Sequence, residues 1–315
     1  MRWIVVALLV PLAATAQPWP QKPIKVIVPF PPGGVTDSLA RITADWLTQR
    51  LGHPVVPDNR PGASGAIAAE LVARAEPDGY TLLAAAAPQL AIVPHVQKIN
   101  YDPIKDFAPI SIVGTNAFAL GCNDKTPGKN LKEFADNVRA HPGALNYGSP
   151  GVGSVGHLTM ALFLARAGLQ MEAVLYKGGG PAMADVIAGH VNCYFGNFNE
   201  IVPHAARGRV HVLATSGATR ARQLPDVPTV AEQGYAGFKT ETWNGYVAPA
   251  GTPSEVVERI SRELAAACKD AAFVARLDKI GVDAVCSTPA EFAQVIRDDL
   301  RLWKEAVAAA GMKAP

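Results

Sequence analysis

The feature that most constrains this chain is a unit that recurs along it. A short β-branched apolar run meets a glycine-rich turn, and an amphipathic stretch at helical spacing follows. IKVIVPF (Ile24 to Phe30) stops at PPGG, and Thr36 then opens a helical pattern to about Leu51 with Asp37 in its first turn. Val55-Val56 leads through DNRPGASG to a second helical pattern ending near Ala75, and PDG at 77–79 turns the chain into YTLLAAA. Strands alternating with helices in this way predict βα units and parallel sheet. A second set begins near Phe118. Asn130, with Glu133 three residues on, has the form of a capping box for the next helix. Strand ALNYGS, a glycine loop and a helix from about Ser154 come next. Strand AVLY, loop KGGGP and a helix from about Pro181 follow, then HVNCYF with loop GNFN, a helix, and RVHVLATS. Residues 222–235 read as a connector with a short helix, NGYVAPA as a strand, and two helical patterns close the chain from Thr252 or Ser254 and from STPAEF. The expected fold class is α/β, in two lobes.

The beginning of the chain is read apart from this pattern. One positive charge at Arg2 precedes an apolar run from Trp3 to about Ala14, and Ala14-Thr15-Ala16 has the A-x-A form of a cleavage site. A run that short cannot cross a hydrocarbon core that needs about 20 residues. The expectation is a signal peptide over residues 1–16, cleavage after Ala16, and export to the periplasm. With 29 basic and 27 acidic residues and no basic block, the chain is not expected to bind nucleic acid. The histidines show no metal-ligand spacing, and no metal or cofactor is expected. In an exported chain the four cysteines can form disulfides. Pairing Cys122 with Cys193 and Cys268 with Cys286 keeps each bridge local; free buried thiols are the alternative.

Three loops share one design, a strand, a glycine turn and a helix start: PPGGVTD (31–37), GSPGVGS (148–154) and KGGGP (177–181). Glycine allows close approach of a ligand to backbone, and helix starts present unpaired N–H groups with positive partial charge. Each loop is a candidate anion cradle, with Thr36, Ser149 and Ser154 adding hydroxyls. GVGSVG at 151–156 matches the dinucleotide fingerprint G-x-G-x-x-G, but the next strand ends Val174-Leu175-Tyr176-Lys177-Gly178 without the acid a ribose requires. No Gly-Lys-Ser/Thr closes a loop, so a P-loop is excluded. The nucleophile elbow G-x-S-x-G is missed by one residue at both Ser149 and Ser154. His157, one turn beyond Ser154, reads as a packed neighbour of a cap.

Taken together, IKVIVPFPPGGVTDSLAR, VVPDNRPGASG, PDGYTLL, YDPIKDFAPI, LNYGSPGVGSVGHL, YKGGGPAMADVIAGHV, ARQLPDVPTVAEQGY and VAPAGTPSEV resemble the periplasmic receptors of tripartite tricarboxylate transporters over nearly the whole mature chain. The resemblance implies a type II periplasmic binding protein fold, with lobe I at 17–116 plus 236–315 and lobe II at 117–235. It implies a small organic carboxylate held between the lobes, membrane transporter subunits as partners, a monomer, and no catalysis. The ligand-binding residues it implies are Ser149, Gly151, Gly153 and Ser154 with His157 behind, and Tyr176, Lys177, Gly178 and Gly179. From lobe I it implies Phe30, Pro31, Gly33, Gly34, Thr36 and Asp37, and beside them Asn197. Where the family commonly has Phe-Asp-Asn, this chain has Phe195-Gly196-Asn197; the missing acid is expected to leave room and to disfavour a cationic amino acid. Two other readings stand beside this one: an exported hydrolase or nucleotide-dependent enzyme using Ser149 or Ser154, and a ligand sensor for a signalling partner.

Overall fold

The structure, a computed structural model, describes residues 19–309 and 311–312; the expected leader and its cleavage point lie outside them. The elements in chain order are β1 (Ile24–Val28), α1 (Val35–Leu51), β2 (Val55–Asn59), α2 (Ala66–Ala73), β3 (Thr81–Ala86) and β4 (Phe107–Cys122). Then come α3 (Leu131–Ala140), β5 (Asn146–Ser149), α4 (Val155–Ala167), β6 (Glu172–Leu175), α5 (Gly179–Ala188), β7 (Cys193–Asn197), α6 (Phe198–Ala205) and β8 (His211–Thr215). The chain closes with β9 (Glu241–Pro249), α7 (Ser254–Ala267), α8 (Ala271–Lys279), β10 (Asp283–Ala284) and α9 (Pro289–Ala309). No described helix is long and apolar enough to cross a membrane.

The βα runs give parallel pairing as the pattern requires: β1 lies between β2 and β3, and β5 lies between β6 and β7. Antiparallel strands join the two sets. β9 pairs with β3 and β4, and β7 and β8 pair with β4. The 16-residue β4 belongs to both sheets. Its residues Phe107–Ala117 run along β9, and Phe118–Cys122 run between β7 and β8. The result is a two-lobed α/β fold in which one strand threads both sheets.

Period-2 alternation sends strand side chains to both faces, and helices cover each face. Val26 and Val28 pack with Leu39, Leu47, Ile260 and Phe273 from α1, α7 and α8. Ile27 points the other way, into a core with Val72, Phe292 and Ile296 from α2 and α9. In the second sheet Leu120 and Phe195 meet α3 and α4 through Phe134, Leu158 and Phe163. Ala119 and Tyr194 meet α5 and α6 through Met183, Val186 and Ile201. Each buried side chain of this size contributes about 1.5–3 kcal/mol. Helix α9 ties the lobes, because its Phe292 packs edge-on to Trp243 at 4.9 Å while its Trp303 and Val307 enter the second core.

Residues 222–235, expected to hold a short helix, form turns. Pro225 and Pro228 withhold two backbone donors, and Thr229 forms a parallel bridge to Thr215. The Glu232 carboxylate then accepts the Thr229 N–H at 2.7 Å and pairs with Arg220 at 3.0 Å. Both disulfides of the local pairing are formed: Cys122–Cys193 joins β4 to β7, and Cys268–Cys286 joins the end of α7 to the segment before α9. Closing a 71-residue separation restrains the unfolded chain more than closing 18. Replacing Cys122 and Cys193 by alanine should therefore lower unfolding free energy by about 4 kcal/mol, and replacing Cys268 and Cys286 by about 3 kcal/mol. Denaturant unfolding of the two variants checks the order.

Candidate functional site

The glycine loops at the C-terminal ends of β1, β2, β5 and β6 face one another across a cleft of about 940 Å³. The helices α1, α2, α4 and α5 start from these loops, and α6 starts beside them at Asn197. Gly34 precedes α1 and Gly178 precedes α5, neither with a side-chain cap, so first-turn N–H groups point at the cleft without intrahelical partners. Ser154 caps α4 through the His157 N–H, and Val155 and Gly156 behind it line the cleft.

From the first lobe Phe30, Pro31, Gly33, Gly34 and Thr36 line this space. Asp37 does not. It is 2% exposed and holds the loop from behind. Its carboxylate accepts the Gly33 N–H at 3.0 Å, both nitrogens of an Arg41 fork at 3.0 and 3.1 Å, and Asn59 Nδ2 at 2.8 Å. Burial pushes the Asp37 carboxyl up, but Arg41, the Gly33 N–H and Asn59 outweigh it and set it below the ordinary carboxylate value.

From the second lobe Gly151, Ser154, Tyr176, Lys177, Gly178, Gly179 and Asn197 line the cleft, whereas Ser149, Gly153 and His157 lie beneath it. The Ser149 and Ser154 hydroxyls both donate to the Gly151 carbonyl, at 3.1 and 2.8 Å. The Gly153 N–H donates to His157 Nδ1 at 3.3 Å, which places the imidazole proton on Nε2. Burial pushes His157 down, toward the neutral form. Ser154 and His157 are thus arranged as a cap and a loop tie, and the ring does not address the hydroxyl. Gly151 takes φ +141°, and a Cβ on Gly156 would fall on the Phe195 carbonyl. The fingerprint glycines therefore let the loop turn and let α4 start against β7. Among the described residues no group of three or more His, Cys, Asp or Glu side chains could hold a metal ion.

The floor is a chain of polar side chains. Thr36 Oγ1 donates to Asn244 Oδ1 at 2.7 Å, and Asn244 Nδ2 donates to Asn116 Oδ1 at 3.1 Å. Asn116 Nδ2 donates to Asn197 Oδ1 at 2.9 Å, and Asn197 Nδ2 reaches Glu200 at 3.3 Å. Thr36, Asn116 and Asn244 are buried. The chain runs from the start of α1, over β9 and β4 near the point where β4 changes sheets, to the end of β7.

Gly196 does not open the room expected from its sequence. A Cβ there would fall on the Tyr194 ring, which covers the position. An acid is present nearby after all, supplied by Glu200 one turn into α6.

With this geometry in hand, residues 39–312 match the model of the tripartite tricarboxylate transporter family receptor, TctC. The chain belongs to that family. Among the receptor's relatives, protein BugT of Bordetella pertussis is 34% identical over 301 residues, covering 95% of this chain and 92% of its own. An R. palustris protein solved with adipate superposes with a TM-score of 0.89 at 32% identity, over 94% of this chain and 99% of its own. MatC from Rhodopseudomonas palustris, solved with malate, superposes at 0.84 with 30% identity over 92% and 100%.

The receptor's sequence hid part of the lining. The loop Pro61 to Gly65 also faces the cleft. It has the same strand, glycine and helix signal in RPGASG, so the pattern was available. Ala63 and Ser64 there hold φ of +47° and +53°, a left-handed pair uncommon for residues with a Cβ. Ser64 Oγ reaches the Val152 carbonyl across the mouth at 3.4 Å. Asn116 and Asn244 carried no local signal, whereas Glu200 stands three residues after Asn197, the capping-box spacing also present at Asn130 and Glu133.

Asn116→Ala and Asn244→Ala should each cost about 1–3 kcal/mol by orphaning a buried partner. Because they share one bond, the double variant should lose less than the sum. Urea unfolding of the four proteins measures the coupling, and strict additivity would contradict it.

Proposed function

We propose that this chain is a periplasmic solute receptor that takes a small organic carboxylate, a di- or tricarboxylate or an aromatic acid, into the cleft and delivers it to a tripartite tricarboxylate-type membrane transporter. Lobe I is taken as 17–116 plus 236–315 and lobe II as 117–235, with residues 1–16 removed on export and the mature chain a monomer. One observation carries the reading: helix starts from both lobes converge on a single space of about 940 Å³, the size range of small-molecule sites. A carboxylate there meets the first-turn N–H groups of α4 and α1, at the positive ends of the helix dipoles. Contacts from both lobes favour the closed arrangement, so ligand binding and lobe closure are one equilibrium. Relatives of this family solved with adipate and with malate support the ligand class.

The test is thermal unfolding of the chain from Gln17 against di- and tricarboxylates, aromatic acids and amino acids, with NAD and ATP as controls. A ligand at about 100 times its dissociation constant adds about 2.7 kcal/mol. The expected result is a rise of several degrees with at least one acid and none with the nucleotides; a rise with NAD alone would overturn the reading. Ser149→Ala combined with Ser154→Ala frees the Gly151 carbonyl and removes the α4 cap. It should weaken binding of that acid by about 1–3 kcal/mol without unfolding the protein, as titration calorimetry would show.

A further inference from the structure

Glu200 has no part in the carboxylate cradle, yet it is placed inside it. It is the third residue of α6, and one carboxyl oxygen, Oε2, is fully engaged. That oxygen accepts the Asn197 N–H at 3.0 Å, Asn197 Nδ2 at 3.3 Å and the Tyr194 hydroxyl at 2.9 Å. The other oxygen, Oε1, lies under the start of α5, where a Cβ on Gly179 would fall on it and come within 2.5 Å of the Tyr194 hydroxyl. Glycine at 179 is what lets the carboxyl sit this close to the helix start. Among the described residues lining the cleft, Glu200 is the one acid and Lys177 the one base.

A carboxylate fixed here already supplies the negative charge that the start of α5 would otherwise offer to a ligand. A second carboxylate beside it would be repelled at short range in a cleft where screening is weak. A hydroxyl or ammonium meets the opposite situation, because Oε1 has lone pairs free to accept. The start of α4, at Val155 and Gly156, carries no such acid and remains open to the ligand's own carboxylate.

We propose that Glu200, held by Tyr194 and Asn197, is a specificity-determining group that reserves the Tyr176–Gly180 wall for a ligand's hydroxyl or ammonium and bars a second carboxylate from it. The preferred ligand is then a carboxylate that carries such a donor, in preference to a plain dicarboxylate of the same length. This rests on the receptor reading given above.

Burial pushes the Glu200 carboxyl above its ordinary value, while the Tyr194 and Asn197 hydrogen bonds pull it back. The experiment is therefore titration calorimetry at about pH 8, on the alkaline side of the ordinary carboxylate range, with three series of matched chain length: dicarboxylates from malonate to adipate, ω-hydroxy acids and ω-amino acids. The wild-type chain should bind a hydroxy or amino acid at least tenfold more tightly than the dicarboxylate of equal length, and the better series identifies the donor. Glu200→Gln keeps an oxygen for the Asn197 N–H and the Tyr194 hydroxyl while removing the charge. It should lower that preference about tenfold. Tyr194→Phe removes a hydrogen bond but leaves the charge, so its preference should stay within about twofold of wild type. Glu200→Ala, measured beside them, should follow Glu200→Gln. Glu200 variants that lose affinity for all three series equally would show a merely structural cap and overturn the proposal. A wild-type preference for the dicarboxylate would also overturn it. Silence of every acid in all proteins would remove the receptor reading and the proposal with it.

Discussion

The hydrogen-bonded run Thr36–Asn244–Asn116–Asn197–Glu200 is the constraint on which the cleft depends. Buried amides are costly unless both ends are satisfied. Here each donor is met by the next residue's acceptor, with contacts of 2.7, 3.1, 2.9 and 3.3 Å. That satisfaction is possible only if α1, β9, β4 and β7 keep one relative placement. Beside it, Ser216 performs the same service for the backbone. Its hydroxyl accepts the Phe118 N–H at 2.9 Å and donates to the Thr240 carbonyl at 2.6 Å. The two segments that cross between lobes are thereby tied to each other at the crossing.

A fixed crossing aims the helix starts. The loops that carry them leave the C-terminal ends of parallel strands, so their orientation follows from the sheets, and the sheets share β4. The polar run therefore links packing to electrostatics: it converts separate positive helix ends into a single facing set. Asp37 and His157 complete the arrangement from below. Each accepts a loop N–H, from Gly33 and Gly153 respectively, and each leaves the cleft surface to backbone. A surface built largely of backbone donors and apolar side chains recognises a carboxylate without prescribing the rest of the molecule. Selection would then fall to the few polar side chains of the wall, with Glu200 in the role proposed for it.

Much of this was legible in the sequence because it is local. Strand, glycine turn and helix start occupy about ten consecutive residues, so the loops at 30–37, 148–154 and 176–181 could be read directly. The α/β class followed from their repetition. The lining residues Asn116 and Asn244 were not legible, since they meet across 128 positions and neither breaks the pattern of its strand. His157 was read as standing behind its loop, and it does; Asp37 was read as lining its loop but supports it from below, because sequence spacing does not tell the exposed side of a turn from its buried side. Gly196 misled for a related reason. Its absent side chain suggested space, but the Tyr194 ring two residues earlier on the same face takes that space, and Glu200 brings an acid back from the following helix. Residues 222–235 failed as a helix because a strand-like bridge to Thr215 competed for the same backbone.

The most direct measurement is a crystal structure of the mature chain with the tightest-binding acid. The account predicts a ligand carboxylate within about 3 Å of the Val155 and Gly156 N–H groups, enclosed by the loop at 30–36, with the polar run across β4 and β9 intact. A carboxylate seated on the exposed Lys177 ammonium instead, or outside the cleft altogether, would contradict it.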